Sequence, residues 1–157
     1  GMQMLVIEYA RNVLGLKDAN THEVNPNSKN IIIDIMEDQK EKVALKKLGG
    51  SMRLGAYKAV LKKGSIAAQA YKTLTISERH RHRYEVNNAY KKRLEDKGLV
   101  FSGVSPDGHL CEIAELPQSA HPFFLGTQFH PEFKARPLSP HPLFTAFIKA
   151  SQKKRNK

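Results

Sequence analysis

Residues 99–116, LVFSGVSPDGHLCEIAEL, contain two short apolar runs on either side of Pro106, Asp107 and Gly108. β-Branched and aromatic residues favour strands, and a Pro-Asp-Gly sequence favours a tight turn. We therefore predict two strands that pair through this turn. A third apolar run, FFLGTQF at 123–129, predicts a further strand after them.

The rest of the chain alternates between helical and extended patterns. Apolar residues recur at helical spacing near both ends of the chain, and Ser, Asn and Gly mark helix limits between them. The predicted helices cover 2–14, 65–74, 87–98 and 141–155. The predicted strands cover 31–36, 51–61 and part of 76–87, whereas the polar residues 18–30 and 37–50 indicate a loop and a mobile excursion. Such an order favours an α/β or α+β layer fold with one sheet.

Length and composition favour one soluble globular domain over residues 1–157. The chain is 40% hydrophobic and 26% charged, and no apolar stretch approaches the length of a membrane span. Its one cysteine excludes an internal disulfide, which favours a reducing compartment. We therefore expect a cytoplasmic protein without a membrane partner.

The charge is strongly basic but scattered. Lys and Arg outnumber Asp and Glu by 26 to 15, a formal net charge of +11. Such an excess permits nucleic-acid binding through counterion release. No recognition helix or base-stacking motif accompanies it, so we do not expect nucleic acid to be the main partner.

The motif QFHPEF at 128–133 combines a base with a carboxylate. In an extended segment, positions two apart project to the same side, so His130 and Glu132 can face one another. Pro131 ends strand pairing there. A carboxylate beside an imidazole selects its tautomer and raises its basicity, as in nucleophile–base–acid trios. The alternative interpretation is a surface His-Glu pair at a strand end.

A catalytic base needs a nucleophile, and the chain does not offer one. Cys111 lies in the middle of an apolar strand pattern, away from any predicted helix N-terminus that would activate a thiol. No G-x-S-x-G elbow is present. We therefore interpret Cys111 as a core residue.

The repeat RHRHRYE at 79–85 is a second unusual motif. His80 and His82 share one strand face, but two ligands alone fall short of a zinc site, so no metal is predicted. Arg79, Arg81 and Arg83 are expected on the other face, together with Glu85. One face is thus predicted to pack inside and the other to meet a substrate or partner.

Four segments carry a resemblance to a known family: QFHPEF, GGSMRLGA (49–56), ERHRHRYEVNN (78–88) and ARPLSPHPLF (135–144). The first resembles the His-x-Glu corner of class I (triad) glutamine amidotransferases, and the others resemble the glutaminase domain of the CTP synthase family. The resemblance implies a flavodoxin-like layered α/β fold with a mixed, mostly parallel sheet flanked by helices. It also implies an N-terminally truncated domain, because in the family the nucleophilic cysteine lies two residues before the position of Gly1.

The same resemblance implies the site residues. His130 and Glu132 match the catalytic pair. The implied glutamine contacts are Gly1, Met2, Gln3, Glu23 and Arg83. An acid for the substrate's ammonium and an arginine fork for its carboxylate are suitable residue types. Arg53 matches the base of a lid that meets the activator GTP.

For the complete family enzyme, the resemblance implies glutamine hydrolysis that supplies ammonia for the ATP-dependent amination of UTP to CTP. An upstream synthase domain with ATP and Mg²⁺ sites is the implied partner, in a homotetramer, and no cofactor is expected within this chain. Without the cysteine we expect this chain alone to be inactive. The alternatives are a non-catalytic amidotransferase-like binding or regulatory protein and, less favoured, a basic nucleic-acid binder.

Overall fold

The structure, a computed structural model, describes residues 1–35 and 52–155. The excursion predicted at 37–50 lies outside the described residues. The helices are α1 (Met2–Asn12), α2 (Ile66–Tyr71), α3 (Asn88–Asp96) and α4 (Pro142–Arg155), with a 3-10 helix at Pro131–Phe133. The strands are β1 (Asn20–Thr21), β2 (Ile31–Ile35), β3 (Arg53–Leu61), β4 (Thr75–His82), β5 (Tyr84–Val86), β6 (Val100–Val104), β7 (Cys111–Glu115) and β8 (Leu125–Thr127).

The hairpin predicted from residues 99–116 organises the larger sheet. β6 pairs antiparallel with β7, with Val104 opposite Cys111. Gly108 occupies a left-handed conformation in the connecting turn, with φ +78°. β8 adds to β7, and the five strands lie in the order β4-β3-β6-β7-β8 with every pair antiparallel.

A second sheet has three strands, in the order β1-β2-β5. β1 and β2 pair parallel, and β2 and β5 pair antiparallel. The mixed pairing was predicted, but the expectation of one, mostly parallel sheet is wrong for the described residues, in which only β1 and β2 pair parallel. Short connections such as the turn at 106–108 join neighbouring strands, and such connections impose antiparallel pairing. β4 and β5 are separated only by Arg83, so the chain changes sheets at a one-residue kink.

The core lies between helices and strands in layers, as predicted for an α/β fold. The buried stripe of α1 packs with β2 and β5 residues in the larger cluster, which also includes Leu94, Leu99 and Phe101. α2 and Leu143 of α4 pack against the five-stranded sheet in a second cluster. Within the described ranges, none of the helices combines the length and apolar character that crossing a membrane requires.

Two local predictions were wrong in detail. The helix predicted over 65–74 begins at the Ser65 cap but ends at Tyr71, because Lys72 adopts a left-handed conformation with φ +59° and closes it. Glu85, expected beside the arginines, is only 5% exposed. The kink at Arg83 breaks the strand alternation, so Glu85 turns to the same buried side as His80.

Candidate active site

One cleft of about 840 Å³ gathers the predicted site residues. It opens between the start of α1, the kink at Arg83 and the segment that follows β8. Its walls include Gly1, Met2, Gln3, Glu23, Arg83, His130 and Glu132. Residues from four separated parts of the sequence therefore meet at one place.

His130 and Glu132 are in direct contact in this cleft. The Nδ1 atom of His130 lies 2.7 Å from Oε1 of Glu132. Pro131 starts a 3-10 helix that carries Glu132, so the contact forms across a turn rather than along the extended segment that we expected. Burial is the largest single influence and opposes ionisation, but the hydrogen bond with His130, a backbone hydrogen bond and the charges of His130 and His141 together lower the pKa of Glu132 below its ordinary value.

Two further contacts hold His130 in place, one through its ring and one through its backbone. The Phe133 ring stacks on it with centroids 4.8 Å apart and an interplanar angle of 20°. The backbone N–H of His130 donates to the carbonyl of Arg79 at 2.9 Å, which attaches this segment to β4. Since Nδ1 faces the carboxylate, Nε2 is the ring nitrogen left for a reacting group.

The first turn of α1 forms another wall. Gly126 lets the helix approach the end of β8, because a Cβ at this position would lie 3.0 Å from the Met2 Cα atom. Met2 is buried, whereas the Gln3 side chain reaches across the cleft floor and donates to the carbonyl of Tyr84 at 3.1 Å.

Opposite charges flank the remaining wall. Glu23 is exposed just beyond β1, and Arg83 is half-buried at the kink. Burial is the main cause of a raised pKa at Tyr84, and the charges of Glu23 and Arg83 act on this pKa in opposite directions. Because Glu23 and Arg83 line the same cleft, this pair of opposite charges can receive the ammonium and carboxylate of an amino acid.

Arg53, in contrast, is not a wall residue; its neighbour Met52 is. Its guanidinium is 8% exposed and lies 2.8 Å from Glu112 and 3.3 Å from Glu85. It also lies over the Tyr57 ring, 4.3 Å from the centroid. Arg53 thus joins the base of β3 to a buried ionic network beneath the cleft, and its role at a lid stays a prediction.

His80 and His82 belong to the same buried network. Their rings share a hydrogen bond of 2.8 Å between Nδ1 of His80 and Nε2 of His82. Burial first, and the Arg53 charge second, lower the pKa of His80 to about 3 and that of His82 to about 4. Both rings are therefore neutral at pH 7.

Glu112 lies beside the two histidines as a third potential metal ligand, which sequence reasoning did not include. Ligand atoms of His80, His82 and Glu112 lie within 4.8 Å of one another. Among the residues that the structure describes, Oε2 of Glu112 has no hydrogen-bond partner, and it lies 3.7 Å from Nδ1 of His80. However, Glu112 already pairs with the Arg53 cation, and the two imidazoles are already hydrogen-bonded to each other. We therefore interpret these three side chains as a hydrogen-bonded network.

Cys111 lies in the larger core cluster and is 1% exposed. Burial raises the pKa of its thiol to about 12. The reactive form of cysteine is the thiolate, so this environment suppresses its reactivity.

Sequence reasoning missed several cleft residues. They are Met4, Met52, Tyr84 and Gln128, with Phe133 beside them. Gln128 had a usable signal, because it lies two positions before His130 in a segment predicted to be extended. Tyr84 had no such signal, because it acts through its backbone carbonyl, a group that nearly every residue type offers equally.

Comparison with known proteins identifies the family of the chain. The family model described as Glutamine amidotransferase class-I matches residues 1–150. The chain belongs to the class I glutamine amidotransferase family, as the sequence motifs predicted.

Within that family, the chain is similar to CTP synthases. It is 56% identical over 152 residues to the CTP synthase of Bifidobacterium longum (strain NCC 2705). It is 57% identical over 152 residues to that of Mycobacterium ulcerans (strain Agy99). These matches cover 96% of this chain but 28% and 26% of the relatives, so the chain spans about a quarter of their length.

A solved structure shows the same architecture. The glutaminase domain of Trypanosoma brucei CTPS with bound acivicin superposes with a TM-score of 0.87 at 40% identity. The superposition covers 98% of this chain and 58% of that one. This likeness confirms the predicted class I amidotransferase fold.

Proposed function

We propose that this chain is the glutamine-binding and proton-handling portion of a CTP synthase glutaminase domain. One observation carries the proposal: the His130–Glu132 pair and the predicted glutamine contacts line a single cleft. The similarity to CTP synthases supports the choice among amidotransferases.

The charges of the cleft suit glutamine as the substrate. Arg83 offers a planar fork for the α-carboxylate, and Glu23 offers an anion for the α-ammonium. The side-chain amide then extends towards His130. The start of α1 supplies backbone N–H groups, which suit the carbonyl oxygen of that amide as negative charge develops on it.

The chemistry needs a nucleophilic cysteine, as the family resemblance implies, and Cys111 does not fit that role because it is buried in the core. The thiolate of the nucleophilic cysteine attacks the side-chain amide carbon, and His130 gives a proton to the departing ammonia. Water then gives a proton to His130 and attacks the thioester carbon, which breaks the C–S bond, releases glutamate and restores the thiolate. Glu132 holds His130 in the tautomer that these proton transfers use.

In the complete protein, the ammonia would pass to a synthase domain that uses ATP and Mg²⁺ to aminate UTP. That domain, a GTP activator and a homotetrameric assembly are parts of the same proposal. So is a cytoplasmic location, which fits a single buried thiol and the absence of a disulfide.

Calorimetric titration of the chain with L-glutamine tests the binding part of the proposal. Glu23→Gln and Arg83→Met each remove one charge that faces the substrate. We expect each variant to bind at least tenfold more weakly than the unaltered chain, since losing a charge-assisted hydrogen bond costs about 1.5–3 kcal/mol.

Arg79→Met is the matched control. The Arg79 side chain is exposed on β4, the strand that precedes the kink, and does not line this cleft. The Arg79→Met variant should bind glutamine with the same affinity as the unaltered chain. Equal affinity in all four proteins, or no binding by the unaltered chain, would contradict the proposed function.

A further inference from the structure

Gln128 is a buried, uncharged side chain with hydrogen-bond partners from several elements. It is 6% exposed and lies directly after β8, two residues before His130. Its Nε2 group donates to the Tyr84 carbonyl at 2.8 Å and to Oε2 of Glu85 at 3.0 Å. These two acceptors use both amide hydrogens and fix which way the amide points.

The two acceptors lie next to Arg83. Arg83 is the single residue between β4, which ends at His82, and β5, which begins at Tyr84. Because these strands belong to different sheets, regular pairing does not continue through the kink. The direction of the Arg83 side chain therefore depends on what holds the peptide groups beside it.

Helix α1 also contacts the side-chain amide of Gln128. Gln3 of α1 donates from Nε2 to the Tyr84 carbonyl at 3.1 Å and approaches Oε1 of Gln128 at 3.4 Å. Gln128 thus touches the helix that opens the cleft and the kink that carries Arg83, and it lies on the segment that carries His130.

We propose that Gln128 is a positioning residue, whose side-chain amide fixes the kink so that Arg83 presents its guanidinium to glutamine. This inference rests on the proposed function and adds a residue to its binding machinery. Gln128 acts through Tyr84 and Glu85, and through them on Arg83.

Buried charges hold the second acceptor in place. Oε1 of Glu85 accepts from Arg53 at 3.3 Å, and Arg53 also donates to Glu112 at 2.8 Å. The backbone N–H of Gln128 donates to the Glu112 carbonyl at 2.9 Å. Gln128 and Glu85 are therefore both attached to β7, a central strand of the larger sheet, so the kink is held against a rigid support.

Two substitutions separate this role from simple packing. Gln128→Glu keeps the shape but turns acceptor oxygens towards the Tyr84 carbonyl and the Glu85 carboxylate. Gln128→Met keeps the volume without any hydrogen bond. We expect L-glutamine to bind at least tenfold more weakly to Gln128→Glu and about fivefold more weakly to Gln128→Met, by calorimetry on the 157-residue chain.

A spectroscopic signal reports on the kink directly. Tyr84-Glu85 is the only Tyr-Glu step in the sequence, so labelling Tyr carbonyls with ¹³C and Glu amides with ¹⁵N gives one HNCO peak. Loss of the 2.8 Å hydrogen bond should move the carbonyl shift of this peak in both variants. Gln118→Met, at an exposed glutamine, should leave the peak and the glutamine affinity unchanged.

The outcomes separate this inference from the proposed function. If Gln128→Met binds glutamine within twofold of the unaltered chain while Arg83→Met does not, the positioning role is wrong and the glutamine site stands. If the unaltered chain does not bind glutamine, both are wrong. Should Gln128→Glu fail to fold, Gln128→Met decides, because it introduces no charge.

Discussion

At the scale of single residues, the contact between His130 and Glu132 shows what a motif can and cannot predict. Their pairing followed from a base and an acid two positions apart, and the structure places the two atoms 2.7 Å apart. The geometry differs from the expectation, because Pro131 opens a 3-10 helix. The stacked Phe133 ring could not be predicted, since it depends on that turn.

Cys111 gives the first prediction at this scale. Because burial raises its pKa to about 12, it should not act as a nucleophile towards glutamine. We expect the chain, its Cys111→Ser variant and its His130→Ala variant to release ammonia from glutamine at the same background rate. Release above that of His130→Ala, abolished by Cys111→Ser, would show that the buried thiol reacts.

His82 gives a second prediction, on the pH dependence of stability. Its side chain is 8% exposed, and its pKa is lowered from 6.5 to about 4 in the folded chain. Between these values the unfolded chain binds the proton more strongly, so acid favours unfolding. We expect the free energy of unfolding to fall, relative to His82→Gln, by up to about 3 kcal/mol between pH 6.5 and pH 4.

The comparison between these two proteins removes the imidazole of His82 together with its contacts to His80 and Glu85. Glu85 acts in the opposite direction, because burial and the charge of Glu112 raise its pKa to about 7, but it is present in both proteins. His109→Gln, at an exposed histidine, is the matched control and should follow the unaltered chain. Denaturant titrations at several pH values measure the difference, and parallel curves for all three proteins would contradict the prediction.

At the scale of elements, Glu115 holds α2 against the larger sheet. Glu115 is 2% exposed at the end of β7, and its carboxylate accepts from the backbone N–H of Ile66 at 2.7 Å and from Ser102 Oγ at 2.7 Å. An anion at a helix N-terminus is favourable, and a buried one depends on its donors.

We therefore predict that Glu115→Gln lowers the free energy of unfolding by about 2 kcal/mol, because one acceptor oxygen becomes a donor that faces other donors. Chemical denaturation measures the change. Glu95→Gln, at an exposed position of α3, should change stability by less than about 0.5 kcal/mol. Equal stabilities would mean that Glu115 does not anchor the helix.

The type of each helix or strand was predictable, because a periodic pattern is a local property of the sequence. The residues at which helices and strands end were less predictable. The hairpin around Gly108 and the Asn87 cap of α3 follow from residue types at fixed positions. The kink at Arg83 does not, because the sequence 79–85 continues to alternate while the chain changes sheets. For that reason Glu85 was assigned to the wrong face, and the network with Arg53 and Glu112 was missed.

At the scale of the whole molecule, the formal charge of +11 calls for a test of nucleic-acid binding. The charge is scattered, so we predict weak DNA affinity that is lost between about 50 and 200 mM salt, as expected for contacts to phosphate alone. Fluorescence anisotropy with a labelled duplex measures it. Tight binding that resists salt would contradict this prediction and show that the chain recognises nucleic acid by more than its net charge.

The layers of the fold bring the start of the chain, the kink and the segment after β8 to one edge, where they form the cleft. The family and its fold were predictable from four short motifs. The meeting of Gln3, Tyr84 and Gln128 was not, because it joins positions 81 and 125 residues apart in the sequence.

Mapping L-glutamine onto the chain by NMR tests the central claim most directly. With backbone and histidine ¹⁵N labels, we predict that glutamine shifts the amides of residues 2–4, 83–84, 128–130 and 132 and the Nε2 signal of His130. The Nδ1 signal should still show its hydrogen bond to Glu132. Shifts confined to another surface, or none at saturating glutamine, would contradict the assignment of this cleft.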